Sequence, residues 1–236
     1  MPADIDNLVT MLNGKRNKFL QDDYISGNQW DNINPMQRQG AWTNNNYDSQ
    51  GHIQYHGLGA GVCLGLSSAY LISGTTWPDF MNYISSPLGK VQIRGVQNLL
   101  KELTLSRPKN LSTYKCQGNI NSKDVMTTVL RNKGISYIKG GNMMTNKLLE
   151  SIRTDILQNM SSQNGYIIII GGQAGLHAFA IRAGVNVLKF FDPNHGEFIF
   201  PTMNGQGDLM ALFLLTYIAD RYPNFNKCDV SCFKLR

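Results

Sequence analysis

Residues 177–192, HAFAIRAGVNVLKFFD, decide how this chain folds. The segments 177–184 and 187–192 read as two strands meeting at a tight turn. The midpoint between His177 and Asp192 falls between Gly184 and Val185. A two-residue turn there suits type II′, which takes glycine first. In that register His177 faces Asp192, Phe179 faces Phe190 and Ile181 faces Leu188, all on one side of the hairpin. Directly opposed β-carbons lie about 4.5–5.5 Å apart. Ala178, Ala180 and Phe191 then point to the other side, because side chains alternate with period two. A slip of one residue would bury Arg182 and Lys189 and part the pair, so the core opposes it.

The hairpin therefore presents an apolar stripe that ends in an imidazole beside a carboxylate. A carboxylate in that position fixes the tautomer of a histidine and stabilises its protonated form. A lone histidine at a strand end is usually a cap on a core stripe. The opposed aspartate turns the reading towards a site.

Working outward, YIIIIGG (166–172) and GEFIF (196–200) read as further strands, with a helix near 207–220 and a last strand near 230–235. The first half reads differently. GVCLGLSSAYLIS (61–73) is a helix in which Gly61, Gly65, Ser68 and Ala69 permit close packing. Thr76, Pro78 and Asp79 open another in cap and first-turn order. Helical patterns follow near 91–104, 122–132 and 145–159. Residues 30–59, rich in Asn, Gln and Gly, read as a long loop. Helices first and antiparallel strands later give an α+β order. One domain over 1–236 is expected, with 1–45 a possible N-terminal extension.

Composition sets limits on function. Hydrophobic residues make up 42% of the 236 and charged residues 16%, the balance of a globular enzyme. No apolar run approaches the roughly 18–20 residues of a membrane span. The start, MPADIDNLVTMLNGKRNKF, has charges where a secretory signal has its apolar core, and reads as a solvated helix. The net charge of +6 is scattered, with a small group at Lys15, Arg16 and Lys18. No zinc-finger spacing, aromatic RNA-binding signature or long basic run appears, so nucleic acid is not expected as a partner. An anionic membrane surface is the partner a basic group suits better. Four cysteines, at 63, 116, 228 and 232, are too few for a disulfide scaffold in a chain this long. Neither a metal nor another cofactor is expected.

Cys63 has a distinctive setting. It follows GAGV and opens an apolar helix, where the helix dipole and unpaired amides would stabilise a thiolate. The same amides suit an oxyanion hole, since glycine lets a substrate carbonyl approach the backbone. The alternative is a buried core cysteine, the reading kept for Cys116, Cys228 and Cys232. Cys63 precedes His177 by 114 residues. Papain-type enzymes place the histidine roughly 130–150 residues after the nucleophile. The order Cys, His, acid, with Cys on a helix and the others on strands, outlines a papain-like arrangement in which Asp stands for Asn.

GVCLGLSSAYL (61–71), GLHAFAIR (175–182) and FFDPNHGEF (190–198) resemble three motifs of the YopT/AvrPphB family. These are papain-like cysteine proteases that bacteria inject into host cells. The resemblance spans about residues 55–200. It implies Cys63 as nucleophile, His177 as general base and acid, and Asp192 as its orienter. It also implies a host protein substrate, a Rho-type GTPase or a kinase, and a secreted effector or toxin acting in the host cytoplasm.

One departure is visible. A papain-like oxyanion hole takes a Gln or Asn amide a few residues before the cysteine, and positions 57 and 58 are Gly and Leu. Gln54 is the candidate instead. His195 reads as a turn residue that lines the cleft. The expected reaction is thiol proteolysis through an acyl-enzyme. Glutamine deamidation and lysine fatty-acyl transfer use the same three residue types and are the alternatives.

Overall fold

The computed structural model describes residues 4–27, 59–105, 127, 129–144, 164–172, 175–184, 186–201 and 207–235. The long loop expected before residue 59, the helix expected near 145–159, Gln54 and Cys116 lie outside the described residues. Of the helix expected near 122–132, residues 127 and 129–131 are described and helical.

Chain order is α1 (Ile5–Met11), β1 (Lys15–Asn17), α2 (Gln21–Gly27), α3 (Gly59–Ile72), α4 (Trp77–Ser85), α5 (Pro87–Leu105), β2 (Ser136–Met144), β3 (Asn164–Gly172), β4 (Gly175–Gly184), β5 (Val187–Asp192), β6 (Gly196–Pro201), α6 (Gly207–Arg221) and β7 (Phe225–Lys234). The seven strands form one sheet in the order β1-β6-β5-β4-β3-β7-β2, and every pairing is antiparallel. Helices precede most of the sheet, as the α+β reading expects.

The two faces of the sheet are covered differently. Phe179, Ile181, Leu188, Phe190 and Phe198 point to one face, where Phe213, Leu214, Tyr217 and Ile218 of α6 and Ile5 and Val9 of α1 bury them. Ala178, Ala180 and Phe191 point to the other, under Val62, Leu66, Ala69 and Tyr70 of α3. The small residues on that face let α3 come close, and Ser67 Oγ donates to the carbonyl of Ala178 at 3.1 Å. On its far side α3 meets α5. A Cβ at Gly65 would lie 2.9 Å from Cγ2 of Ile93 and 3.1 Å from its carbonyl oxygen, so the crossing requires glycine. Each fully buried Phe or Leu in these layers contributes about 1.5–3 kcal/mol.

Local signals explain several helix starts. Thr76 caps α4 with the reciprocal Thr76–Asp79 bonds of a capping box, and Pro78 stands in the first turn. Asp4 Oδ1 accepts from the amides of Asp6 and Asn7 at the start of α1. That helix is not wholly solvated, since Ile5 and Val9 are buried beneath it. α3 begins at Gly59, four residues before Cys63, so the cysteine lies one turn inside the helix and not at its first position.

The β4–β5 register differs from the expected one by two residues. Ile181 pairs with Phe190, Ala183 with Leu188 and Gly184 with Val187. The strands therefore turn between Gly184 and Val187, and Asn186 there takes the left-handed φ of 60° that asparagine tolerates. A shift of two preserves the period of the strand, so every side chain stays on its expected face. Asp192 ends up one pair further along, diagonal to His177 instead of directly opposite. β1 and β2 have no counterpart among the expected strands: β1 is three residues with two charges, and β2 carries two glycines, as edge strands often read. β7 starts five residues earlier than expected.

Candidate active site

Where β4 begins and β5 ends, His177 Nε2 lies 2.9 Å from Asp192 Oδ1. Both are enclosed, with 1% and 0% of their surface exposed. The diagonal placement still allows contact, because residues two positions out of register remain within reach of longer side chains. Cys63, also buried, lies on α3 close enough to the His177 ring to raise its pKa. The second ring nitrogen, Nδ1, is buried and makes no aligned hydrogen bond to the protein. With Nε2 committed to Asp192, Nδ1 is the ring nitrogen with no protein partner. The structure thus brings together the three residues singled out in the sequence.

Two tyrosines complete the surroundings of Asp192. Tyr217 from α6 donates its hydroxyl to Oδ2 at 2.5 Å, and Tyr222, just past that helix, donates to the same oxygen at 2.7 Å. The Asn194 amide donates to Oδ1 at 2.7 Å. With His177 this makes four donors, about the full accepting capacity of a carboxylate. Tyr222 also stacks on the imidazole, 4.8 Å between centroids and 18° between planes, with its oxygen 3.0 Å from Nε2. Phe179 meets the same ring edge-on at 4.8 Å.

These contacts set the charges. Burial alone would lower the pKa of His177, but the charge and hydrogen bond of Asp192, with Cys63 acting in the same direction, raise it to about 10. Burial alone would raise that of Asp192, yet the charge and hydrogen bond of His177, then His195 and Tyr217, hold it below the ordinary carboxylate range. Burial, then the negative charge of Asp192, push the tyrosine hydroxyls up, so both stay protonated donors. The environment favours an imidazolium beside a carboxylate.

Tyr217 and Tyr222 were not candidates from the sequence. A pair of tyrosines near the end of a leucine-rich helix is a visible feature, but no pattern says which strand end they face. His195 is the third residue of the turn after Asp192, where its amide donates to the Asp192 carbonyl at 3.0 Å. It also lines a cavity of about 340 Å³ with Asn194, Tyr222 and Phe225. Burial lowers its pKa first of all. Cys228 and Cys232 are buried and unbridged on β7, and burial followed by Asp229 pushes the Cys228 thiol up to about 12.

A helix carrying a cysteine, packed on an antiparallel sheet that carries histidine and aspartate, is the papain-like architecture. The family model for Peptidase C58, described as Yersinia/Haemophilus virulence surface antigen, matches residues 37–236, and the chain belongs to this family. It is a papain-like cysteine peptidase of the YopT/AvrPphB type, from a family of bacterial virulence proteins. Among solved structures, the Pseudomonas avirulence protein AvrPphB is similar at a TM-score of 0.53 and 16% identity, covering 74% of this chain and 92% of its own. PatoxP, a cysteine protease-like domain of the Photorhabdus asymbiotica toxin PaTox, aligns at a TM-score of 0.37 and 12% identity, over 96% of this chain and 56% of its own. No curated protein sequence matches the chain.

Proposed function

We propose that this peptidase cleaves a host protein through Cys63, His177 and Asp192. The observation that carries the reading is the buried His177–Asp192 pair whose other ring nitrogen is left for Cys63. The Cys63 proton passes to His177 Nδ1, giving a thiolate beside an imidazolium that Asp192 stabilises. The thiolate attacks the scissile carbonyl, forming a carbon–sulfur bond. His177 then returns the proton to the leaving amine as the carbon–nitrogen bond breaks. Water, deprotonated by His177, hydrolyses the thioester and restores the free thiol. Gln54 is assigned to donate its amide to the oxyanion. The site acts as a single catalytic domain, with Asp192 holding one tautomer and taking no proton itself.

Intact-mass spectrometry of candidate host GTPases and kinases, incubated with wild type and with Cys63→Ala, tests the reading. Two fragments whose masses sum to substrate plus one water are expected with wild type alone. A gain of about one dalton on an uncut target, or of an acyl chain, would replace proteolysis with deamidation or acyl transfer. Cleavage by the Cys63→Ala protein would remove Cys63 from the mechanism.

A further inference from the structure

The segment before the family match, which starts at residue 37, is built onto the turn that carries Asp192. β1 pairs along β6 with Lys15 opposite Ile199, Arg16 opposite Phe198 and Asn17 opposite Glu197. Arg16 donates through Nε and Nη2 to the single carbonyl of His195, at 3.1 and 3.0 Å. Its Nη1 is tied to Asp6 of α1 at 2.6 Å, and its guanidinium lies 5.2 Å above the Phe198 ring. The Gln21 amide donates to the carbonyl of Pro193 at 2.9 Å. Asn17 Nδ2 reaches the buried Glu197 carboxylate at 2.6 Å. At Gly196, φ is +102°, and a Cβ would stand 1.9 Å from the carbonyl oxygen of Asn17, so strand and turn are in direct backbone contact.

Every residue of the 193–195 turn and the first two of β6 but Asn194 is therefore touched from residues 16–21, and Asn194 is the one that turns inward, to Asp192 and Tyr222. Arg16 itself is half-buried and fully engaged, while Lys15 and Lys18 are exposed. Three guanidinium bonds on one residue are more than solubility needs. Holding the carbonyls at 193 and 195 fixes the intervening Asn194 amide, one of the four donors that keep the Asp192 carboxylate against His177.

We propose that residues 15–21 are a strap that positions Asp192, with Arg16 as its principal positioning residue. The strap touches neither substrate nor reacting atoms and acts through the turn. It rests on the assignment of Asp192 as orienter of His177. Any partner or cut that peels this segment off β6 would lower the reactivity of Cys63 without touching the thiol.

The test is the rate at which iodoacetamide alkylates Cys63 in the full chain, read by peptide mass spectrometry at about pH 6, well below the ordinary thiol range. Asp192→Asn removes the charge and is expected to slow alkylation about tenfold. Arg16→Ala is expected to slow it about fivefold, and Arg16→Gln, which keeps one donor, only about twofold. Circular dichroism and thermal melts confirm folding, and Arg16→Gln carries the test if the alanine variant does not fold. In an Asp192→Asn background, Arg16→Ala is expected to add less than about twofold, because both act through one group. If Asp192→Asn alkylates like wild type, the orienter assignment fails and the strap with it. If Asp192→Asn is slow while folded Arg16 variants react at the wild-type rate, the strap alone is overturned. A full fivefold loss in the Asp192→Asn background overturns it too, since Arg16 would then act elsewhere.

Discussion

Two buried carboxylates lie five positions apart and point to opposite faces of the same sheet. Asp192 sits under α6, 0% exposed; Glu197 sits under α3, 1% exposed. Each accepts a tyrosine hydroxyl: Glu197 takes Tyr70 at 2.6 Å and Asn17 at 2.6 Å, with Lys189 at 3.8 Å. Burial and a tyrosine donor are therefore common to both and distinguish neither. The difference is the partner. Glu197 is surrounded by groups that only hold it, and so joins strand β1, helix α3 and the sheet. Asp192 holds an imidazole whose second nitrogen has no hydrogen-bond partner and whose basicity Cys63 also raises. A buried acid is an anchor until one of its donors can pass a proton onward.

The largest test of that contrast compares Cys63→Ala with Glu197→Gln. The first is expected to reduce turnover of the cleaved host protein by about 10⁴ or more with the fold intact. The second is expected to lower stability by about 1–3 kcal/mol and leave turnover within a few fold. Comparable losses of turnover would erase the distinction.

Asp192→Ala comes next. It strands four donors in the interior, so denaturant unfolding is expected to show a loss of about 3–5 kcal/mol. Turnover is expected to fall about 10³-fold or more. Asp192→Asn separates the two effects. Its oxygen can face His177 and the Asn194 amide while its NH₂ faces the tyrosine hydroxyls, which rotate to accept. Shape is kept, charge is lost, and about a tenfold loss of turnover is expected. An Asn variant as poor as the Ala variant in both stability and turnover would show that shape, and not charge, is what Asp192 supplies.

Gln54→Ala sharpens the assignment on the thiol side: a fall of about 10²–10³ in kcat is expected for an oxyanion donor, against no change for a loop residue.

The smallest effect is the pH dependence of stability. The pKa of His177 is raised, so its contribution is complete below the ordinary histidine value and is lost as pH rises through about 10. That of Asp192 is lowered, so its contribution is present above the ordinary carboxylate range and is lost as pH falls through the depressed value. The difference in Tm between wild type and Asp192→Asn is therefore expected to be widest between the ordinary carboxylate and histidine values, about pH 4–6.5, and to narrow towards both limits. A difference that grows above pH 10 would contradict an imidazolium at this position.

Much of the site was legible because its pieces sit on strongly patterned elements. The alternation of 177–183 and 187–191 placed Phe179, Ile181, Leu188 and Phe190 on one face and Ala178, Ala180 and Phe191 on the other, where the structure has them. The register itself was off by two because Gly184 looked like the turn residue, whereas Asn186 adopts the positive φ. Period-two patterning is blind to such a shift. β1 and β2 were illegible for a different reason. An edge strand is paired on one side only, and little apolar burial marks it in the sequence.

The sequence by itself determined that helices precede most of the strands, which side chains share each face of the hairpin, and that Cys63, His177 and Asp192 are the candidates for the site. Local periodicity encodes which side a residue takes, and residue chemistry encodes what it can do there. Only the tertiary structure decided that Tyr217 and Tyr222 fill the remaining lone pairs of Asp192, and that Arg16 grips the turn behind it. Those contacts span 25, 30 and 179 residues along the chain. Contacts of that range depend on how helices and edge strands dock on the sheet, and no spacing rule carries that information.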